Sequence, residues 1–315
     1  MVEWYVWAAF LAGLLALLGV DLARHQDEKV MPFREAISWT GLWVGLGLSF
    51  GFLIWLWLGG RLAGEYFAGY LIEWSLSVDN VFVWILIFTH FAVPREYQHR
   101  VLFWGVIGAI FMRLSFILAG SALLDRFEWI IYIFGGILII TAVRFVIGGE
   151  RERSIEDNMV LKLTRRFVPL TERFEGQHFF TTQNGKRMAT PLLAVLILIE
   201  FTDLVFAVDS IPAVFAVTRH AFIAFTSNAM AILGLRSLYF VLAGGMARFR
   251  YLRPALAIIL AFVGIKMILS EVVHIPIWLS LSVIIGVLGT AGLASWLTTR
   301  RAPIPEAEQA EPRPR

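Results

Sequence analysis

The chain has 315 residues, of which 58% are hydrophobic and only 16% are charged, and its mean hydropathy is +0.73. Soluble domains carry about 25% charged residues, so the composition predicts a polytopic membrane protein. The chain has no cysteine, which excludes disulfides, thiolate metal sites and thiol redox chemistry. The net charge of +3 does not indicate a nucleic-acid partner, because in a membrane protein an excess of basic residues usually belongs to cytoplasmic loops. No such partner is expected.

Nine membrane-spanning helices are predicted, and the charges between them set the orientation. The first apolar run, Trp4 to Val20, lacks the basic start and the cleavage site of a signal peptide, so we interpret it as a span. Outside the spans, all Lys and Arg residues except Arg61, Arg126 and Arg219 fall on one side, which places the N-terminus outside and the C-terminus in the cytoplasm. The predicted spans are 3–22, 38–58, 66–90, 101–123, 128–148, 190–217, 221–246, 254–271 and 276–298.

The spans and their connections divide the chain into six segments. The connection 149–189 is charged at first and then turn-like, which fits either a short amphipathic helix on the cytoplasmic face or a plain linker. The tail from Ala302 is rich in Pro and Glu and is expected to be disordered. The segments are two N-terminal spans (1–63), a first three-helix unit (64–148), a cytoplasmic loop (149–189), a second three-helix unit (190–271), a last span (272–299) and the tail (300–315).

The two three-helix units align with each other. Each unit has an acidic helix, then a helix with an Arg in mid-span, then a helix with a cation near its end. Because the two units begin an odd number of spans apart, they would cross the membrane in opposite senses, as in many secondary transporters. The predicted fold class is therefore all-α with two inverted three-helix repeats. The alignment pairs Glu73 with Asp203, Asp79 with Asp209, Gly105 with Asn228, Arg113 with Arg236, and Arg144 with Lys266.

Carboxylates within two apolar segments indicate a functional centre. These segments are E-W-S-L-S-V-D-N-V-F-V-W at 73–84 and E-F-T-D-L-V-F-A-V-D-S-I-P-A-V-F-A at 200–216. An ionised carboxylate near the bilayer centre costs several kcal/mol, so we expect a functional reason for it. The candidate ligands are the carboxylates of Glu73, Asp79, Glu200, Asp203 and Asp209, the amide of Asn80, and the hydroxyls of Ser77, Thr202 and Ser210.

These candidate ligands are all oxygen atoms. Such sets suit Mg²⁺, Ca²⁺ or Mn²⁺. Zinc and copper are disfavoured, because Cys is absent and the six His residues are predicted in loops or at span ends. No P-loop, dinucleotide-binding fingerprint or Ser/His/Asp constellation is present, so we expect neither ATP-driven transport nor an enzyme. No prosthetic group is expected.

Four basic residues also lie within the predicted spans: Arg113, Arg144, Arg236 and Lys266. They are interpreted as counter-charge or gating residues. In one interpretation the acids and bases are permanent pairs that only hold the bundle together. In the other, which we favour, some pairs form when a metal ion leaves, and protons can then bind to the buried carboxylates.

The helix that carries Glu200 and Asp209 poses a geometric problem. At about 100° per residue, the two side chains point in nearly opposite directions on an unbroken helix. Either this helix is enclosed by protein on all sides, or it breaks between Asp209 and Pro212, since a proline removes one backbone donor. We favour the break.

The motifs in these segments are similar to those of the TerC family of integral membrane proteins, the group that includes the Alx manganese exporters. The resemblance covers about Gly64 to Leu269 and rests on four sequences: E-W-S-L-S-V-D-N at 73–80, A-T-P-L-L at 189–193, E-F-T-D-L-V-F-A-V-D-S-I-P-A at 200–213, and S-N-A-M-A-I-L-G-L-R-S-L-Y-F at 227–240. It implies export of Mn²⁺ across the bacterial cytoplasmic membrane. The implied site comprises Glu73, Asp79, Asn80, Glu200, Asp203 and Asp209, with Asn228 and Arg236 nearby.

Two other functions remain open from the sequence. The protein could be a membrane scaffold that organises tellurite- or envelope-stress partners through its 149–189 loop, with permanent acid–base pairs. It could also be a Ca²⁺ transporter of the same architecture. The expected partners are a divalent cation, membrane lipid and, through the loop, other proteins. The driving force of proton exchange is a hypothesis from the carboxylates alone.

Overall fold

The fold is a bundle of helices with one small hairpin. The structure is a computed structural model that describes residues 2–24, 31–127, 129–147, 171, 174–183, 186–243, 251–269, 272 and 275–301. The helices are α1 (Trp4–Arg24), α2 (Phe33–Leu58), α3 (Gly60–His90), α4 (Arg95–Arg126), α5 (Ile130–Ile147), α6 (Pro191–Phe215), α7 (Ala221–Leu233), α8 (Leu235–Ala243), α9 (Leu252–Ile268) and α10 (Ile277–Arg301). The strands are β1 (Phe180–Gln183) and β2 (Lys186–Ala189).

The helices confirm an all-α polytopic membrane protein. Each predicted span coincides with one helix, except that the span 221–246 is divided between α7 and α8. Within the described ranges, six helices are long and apolar enough to cross a membrane, and α7 with α8 would make a seventh. The apolar helices α5 and α9 are shorter.

Helix α3 lies at the centre of the bundle. It packs against α2, α6, α7 and α10. Its side chains Tyr66, Ile72 and Trp84 are fully buried. Helix α7 is also enclosed, since every residue from Phe222 to Leu233 is buried, as expected of a helix that is apolar on all faces. The central position of α3 and α7 keeps their polar side chains away from lipid.

Helices α5 and α9 approach each other closely at two glycines. A Cβ atom at Gly135 would lie 3.1 Å from the carbonyl oxygen of Gly264, and one at Gly264 would lie 3.0 Å from that of Gly135. Small residues permit this kind of backbone contact between membrane helices. The last helices of the two predicted units therefore pack against each other.

The predicted break near Asp209 to Pro212 is wrong. Helix α6 runs without interruption from Pro191 to Phe215, with Pro212 inside it. A proline removes only one hydrogen bond of the helix, and here it stands in the last turn, where little helix follows. The favourable packing of α6 against α3, α4 and α5 is retained without a break.

The alternative, an α6 enclosed on all sides, is also wrong. One face of α6 is exposed, and it is formed by Phe201, Val205 and Val208. At about 100° per residue, Glu200 and Asp209 fall on either side of this face, while Asp203 lies opposite to it. Two acids can therefore point apart on a straight helix and still each contact a neighbouring helix.

A bend occurs instead between α7 and α8. The two helices meet at Gly234 with an angle of 41°. A Cβ atom at Gly234 would lie 3.2 Å from the Cβ of Trp43 on α2, so a glycine allows α2 to pack closely at the bend. The sequence contains no proline here, and the single span predicted for 221–246 did not include this bend.

The described part of the 149–189 loop contains an antiparallel hairpin. Strands β1 and β2 pair with Phe180 opposite Ala189 and Gln183 opposite Lys186. The Gln177 Nε2 donates a hydrogen bond to the carbonyl oxygen of Glu96 at 3.4 Å, and Arg100 lies 5.4 Å from the ring of Phe179. The residues just before the hairpin thus contact the first turns of α4. The predicted amphipathic helix and the predicted disordered tail lie outside the described residues.

Candidate functional site

The guanidinium of Arg113 on α4 is the centre of a buried polar cluster. Its side chain is 1% exposed, and those of its two acidic neighbours, Glu73 on α3 and Asp203 on α6, are 0% and 2% exposed. Arg113 Nη1 forms an ion pair with Glu73 Oε1, and Arg113 Nη2 lies 3.5 Å from Asp203 Oδ1. Arg113 Nη1 also donates a hydrogen bond to Asn228 Oδ1 on α7 at 2.6 Å. Side chains from four helices therefore meet at one cation.

Two further side chains of α3 complete the cluster. Ser77 Oγ donates to Glu73 Oε1 at 3.4 Å, and Asn80 Nδ2 donates to Asp203 Oδ1 at 3.4 Å. Glu73, Ser77 and Asn80 lie on one face of α3, since they are four and three residues apart. We call the set Glu73, Ser77, Asn80, Arg113, Asp203 and Asn228 the central cluster.

Several polar atoms of the central cluster have unused hydrogen-bonding capacity. Among the described residues, Glu73 Oε2, Asp203 Oδ2, Arg113 Nε and Nη2, and Asn228 Nδ2 are buried without a hydrogen-bond partner. Nearly all buried polar atoms in proteins have such a partner, because burial without one costs free energy. Two carboxylate oxygens are thus available as ligands of a cation.

Small residues bring the helices close enough to form the central cluster. A Cβ atom at Gly69 on α3 would lie 2.7 Å from Ser227 Oγ on α7, beside Asn228. A Cβ atom at Gly105 on α4 would lie 3.2 Å from a methyl carbon of Ile199 on α6. Such contacts are typical of packing between membrane helices.

The other two described acids of α6 contact α4 and α5, although Glu200 also interacts electrostatically with Asp203 of the central cluster. The carboxylate of Glu200 is packed against Gly108 on α4. Asp209 accepts a hydrogen bond from Thr141 Oγ1 on α5 at 2.7 Å and interacts electrostatically with Arg144. Among the described side chains, no group of three or more His, Asp or Glu residues could hold a metal ion.

The remaining predicted site residues have separate surroundings. Thr202 donates to the carbonyl oxygen of Ile199 in its own helix at 2.8 Å, and Ser210 is buried. The side chain of Asp79 lies outside the described residues. The structure thus brings together six of the residues singled out in the sequence, and it places Glu200, Thr202 and Asp209 elsewhere on α6.

Arg236 belongs to a different cluster from the one that the sequence alignment suggests. Its Nη2 forms an ion pair with Asp21 on α1, and its Nη1 lies 2.8 Å from His99 Nε2 on α4. Nearby, Tyr239 Oη donates to Gln98 Oε1 at 2.7 Å. Neither Asp21 nor His99 was predicted from the sequence to belong to a site. A buried arginine requires an acidic partner, and the position of Asp21 in an apolar span was the available signal.

Lys266 on α9 likewise has its own partners. Its Nζ donates to Ser280 Oγ on α10 at 2.9 Å and interacts electrostatically with Glu65 on α3. Glu65, which is nearly buried, also accepts a hydrogen bond from Thr218 Oγ1 at 2.7 Å. Glu65 was not predicted as a site residue, because the predicted span 66–90 begins one residue after it.

Comparison with known proteins identifies the family of this chain. The family model of the "Integral membrane protein TerC family" matches residues 58–303. The chain belongs to the TerC family. The region that matches the TerC model contains the central cluster, Glu200, Asp209 and Lys266, whereas Asp21 precedes it.

Full-length relatives of this TerC protein are membrane proteins. A membrane protein of Myxococcus xanthus is 48% identical over 304 residues, which cover 96% of this chain and 95% of the relative. The membrane-bound redox modulator Alx of Escherichia coli K12 is 44% identical over 293 residues, which cover 90% of this chain and 91% of the relative. The Salmonella typhi protein of the same name is 43% identical over 307 residues. No solved structure matches the chain.

Proposed function

We propose that this TerC protein is a secondary transporter that exports a divalent cation, with Mn²⁺ as the favoured substrate, across the bacterial cytoplasmic membrane. The observation that carries the proposal is the convergence of Glu73 and Asp203, from two different helices, within the buried core. Each has a carboxylate oxygen without a hydrogen-bond partner among the described residues. Buried acids of this kind in membrane proteins mark ion pathways.

The donor atoms support a hard or borderline cation. The central cluster offers carboxylate, amide and hydroxyl oxygens, and no imidazole is part of it. Such ligands suit Mn²⁺, Mg²⁺ or Ca²⁺ better than zinc or copper. The preference for Mn²⁺ over the other two comes from the family resemblance, and a Ca²⁺ transporter of the same architecture is the outcome that a selectivity measurement would reveal.

We infer nine spans that contain two inverted three-helix repeats, α3 to α5 and α6 to α9, with α7 and α8 counted as one span. The contacts of Arg113 support the repeats. The alignment pairs Glu73 with Asp203, and both acids contact Arg113. The last helices of the units, α5 and α9, also pack together. The symmetry is incomplete, because Arg236, the aligned partner of Arg113, interacts with Asp21 instead.

The acids of α6 support a route through the membrane. Along a helix that rises about 1.5 Å per residue, Glu200 lies roughly 4.5 Å to one side of Asp203, and Asp209 lies roughly 9 Å to the other. With the N-terminus outside and the C-terminus in the cytoplasm, Glu200 is on the cytoplasmic side and Asp209 on the outer side. Successive carboxylates can bind the cation in turn, and protons can return by binding to them in exchange.

The name of the Alx relatives, redox modulator, is compatible with this proposal. The chain has no cysteine, so it has no thiol that could carry out redox exchange itself. A transporter of Mn²⁺ would instead change the redox state of the cell indirectly, through the amount of a redox-active metal.

Transport by proteoliposomes tests the proposal. Glu73→Gln and Asp203→Asn are each expected to abolish Mn²⁺ transport and binding by the full-length protein, as are Asp79→Asn and Asp209→Asn. Glu96→Gln, which changes an exposed acid at the start of α4, is the matched control and should transport normally. Transport that survives both Glu73→Gln and Asp203→Asn would refute the site. Binding of Ca²⁺ or Mg²⁺ in preference to Mn²⁺ would refute the substrate.

A scaffold that acts through the 149–189 loop is the second candidate. This candidate comes from the sequence, and the contact of Gln177 with the carbonyl oxygen of Glu96 shows only that part of the loop lies against α4 of the same chain. Deletion of the loop would then abolish function, while Asp203→Asn would act only by lowering the amount of folded protein. Normal Mn²⁺ transport by a loop-deleted protein would refute this candidate.

A further inference from the structure

We propose that Arg113 is an internal substitute for the transported cation. In this structure its guanidinium is the shared counter-charge of Glu73 and Asp203, and a divalent cation must displace it in order to bind to the same two carboxylates. This inference rests on the proposed transport function and states which group pairs with the two carboxylates when no cation is bound.

The contacts of the guanidinium support a shared position. Arg113 Nη1 contacts Glu73 Oε1, while Arg113 Nη2 lies 3.5 Å from Asp203 Oδ1. A cation that bridges the two carboxylates would therefore lie within a few ångströms of the guanidinium. At such distances, in a medium of low dielectric constant, two positive charges repel each other strongly. Both cannot be held by one pair of carboxylates at the same time.

The incomplete bonding of Arg113 supports displacement. A guanidinium that serves a structural role commonly forms two parallel hydrogen bonds with one carboxylate. Here Nη1 contacts both Glu73 and Asn228, while Nη2 has only the 3.5 Å ion pair with Asp203 and Nε has no hydrogen-bond partner within the described part of the chain. Arg113 thus has fewer bonds to lose than a fully satisfied buried arginine.

Asn228 provides a contact that Arg113 can keep after displacement. Its Oδ1 accepts a hydrogen bond from Arg113 Nη1 at 2.6 Å, and it lies on α7 rather than on the helices of the two acids. The Nδ2 of Asn228 has no hydrogen-bond partner among the described side chains, so the amide can move together with Arg113 without breaking another bond. Arg113 can therefore leave the carboxylates without becoming an isolated buried charge.

The other intramembrane cations have different partners. Arg236 pairs with Asp21, Lys266 donates to Ser280, and Arg144 interacts with Asp209. Of the described cations, Arg113 is the one that forms ion pairs with Glu73 and Asp203. The substitute role is accordingly specific to this residue.

Equilibrium binding of Mn²⁺ to purified full-length protein tests the inference. Because Arg113 competes with the metal, Arg113→Gln is expected to bind Mn²⁺ at least about tenfold more tightly than the unaltered protein. Its transport should nevertheless fall, since two buried carboxylates without a counter-charge hold the metal and oppose the return step. Arg113→Lys keeps the charge on a single nitrogen that cannot contact both acids in the same way. Its affinity for Mn²⁺ should lie between that of the unaltered protein and that of Arg113→Gln.

The control and the contrary results separate this inference from the proposed function. Arg126→Gln removes a charge from the exposed end of the same helix and should bind Mn²⁺ with unaltered affinity. Weaker or equal binding by Arg113→Gln overturns the inference, and if that variant does not fold, weaker or equal binding by Arg113→Lys does so. Failure of the unaltered protein to bind Mn²⁺ would instead overturn the proposed function.

Discussion

The carboxylate of Glu200 on α6 lies against the α-carbon of Gly108 on α4. A Cβ atom at position 108 would overlap both carboxylate oxygens. Glycine at this position therefore determines where Glu200 can point, although it carries no charge and binds no ion itself.

Replacement of Gly108 by alanine should reduce Mn²⁺ transport while leaving the protein folded. The Cβ atom would push the flexible end of Glu200 out of its present place, and a displacement of about 1 Å can reduce the efficiency of a polar site by tenfold or more. Transport by proteoliposomes measures the effect. The control is Gly136→Ala on α5, where a Cβ meets no described atom within 4 Å. Unaltered transport by Gly108→Ala would show that Glu200 is not on the route.

Replacement of Thr141 by valine should destabilise the protein through Asp209. The hydroxyl of Thr141 donates to Asp209 Oδ1 at 2.7 Å, and a hydrogen bond to a charged group contributes about 1.5–3 kcal/mol. Thermal unfolding in detergent should show this loss. In an Asp209→Asn background the loss should be smaller, because the charge is gone. Equal losses in both backgrounds would mean that Thr141 and Asp209 are not coupled.

Replacement of Asp21 by alanine should reduce stability without changing the affinity for Mn²⁺. Asp21 and Arg236 form a buried ion pair, and removal of one partner of such a pair costs about 3–5 kcal/mol. The pair links α1 to α8 and does not include Glu73 or Asp203. Unfolding and Mn²⁺ binding should be measured together, with Asp125→Ala at the exposed end of α4 as control. A changed affinity would show that the two clusters are connected.

Replacement of Gly264 by alanine should separate α5 from α9. The new Cβ atom would lie 3.0 Å from the backbone oxygen of Gly135, which cannot move aside as a side chain can. Overpacking of this kind costs about 1–3 kcal/mol, which thermal unfolding can detect. Gly286→Ala on α10, where the added Cβ meets no described atom within 4 Å, should be neutral or slightly stabilising. Equal stability of the two variants would contradict the close approach.

The positions of the helices and much of the central cluster could be predicted from the sequence. Apolar runs give the spans, and helical spacing places Glu73, Ser77 and Asn80 on one face. What these faces contact depends on how the helices pack, and the sequence of one helix does not contain that information. The pairing of Arg236 with Asp21, and of Asp209 with Thr141, therefore appeared only in the structure.

The misplaced helix break has a similar cause. Pro212 disfavours a helix locally, and Gly234 does so less strongly, so the local preferences pointed to Pro212. In the structure α6 continues through Pro212, whereas the chain bends at Gly234 beside Trp43. Contacts between helices thus outweighed the local preference at Pro212, whereas at Gly234 the bend agrees with the weaker local preference.

The ion pair between Glu73 and Arg113 has a consequence for biosynthesis. These residues lie on consecutive helices, α3 and α4, which are joined by residues 91–94. A single charge is costly to insert into a bilayer, but two adjoining helices can enter together as a pair whose charges cancel. Helix α6, which carries Asp203, is made later and finds Arg113 already in the membrane. The order of translation thus places Arg113 in the membrane before Asp203 has to enter the hydrocarbon.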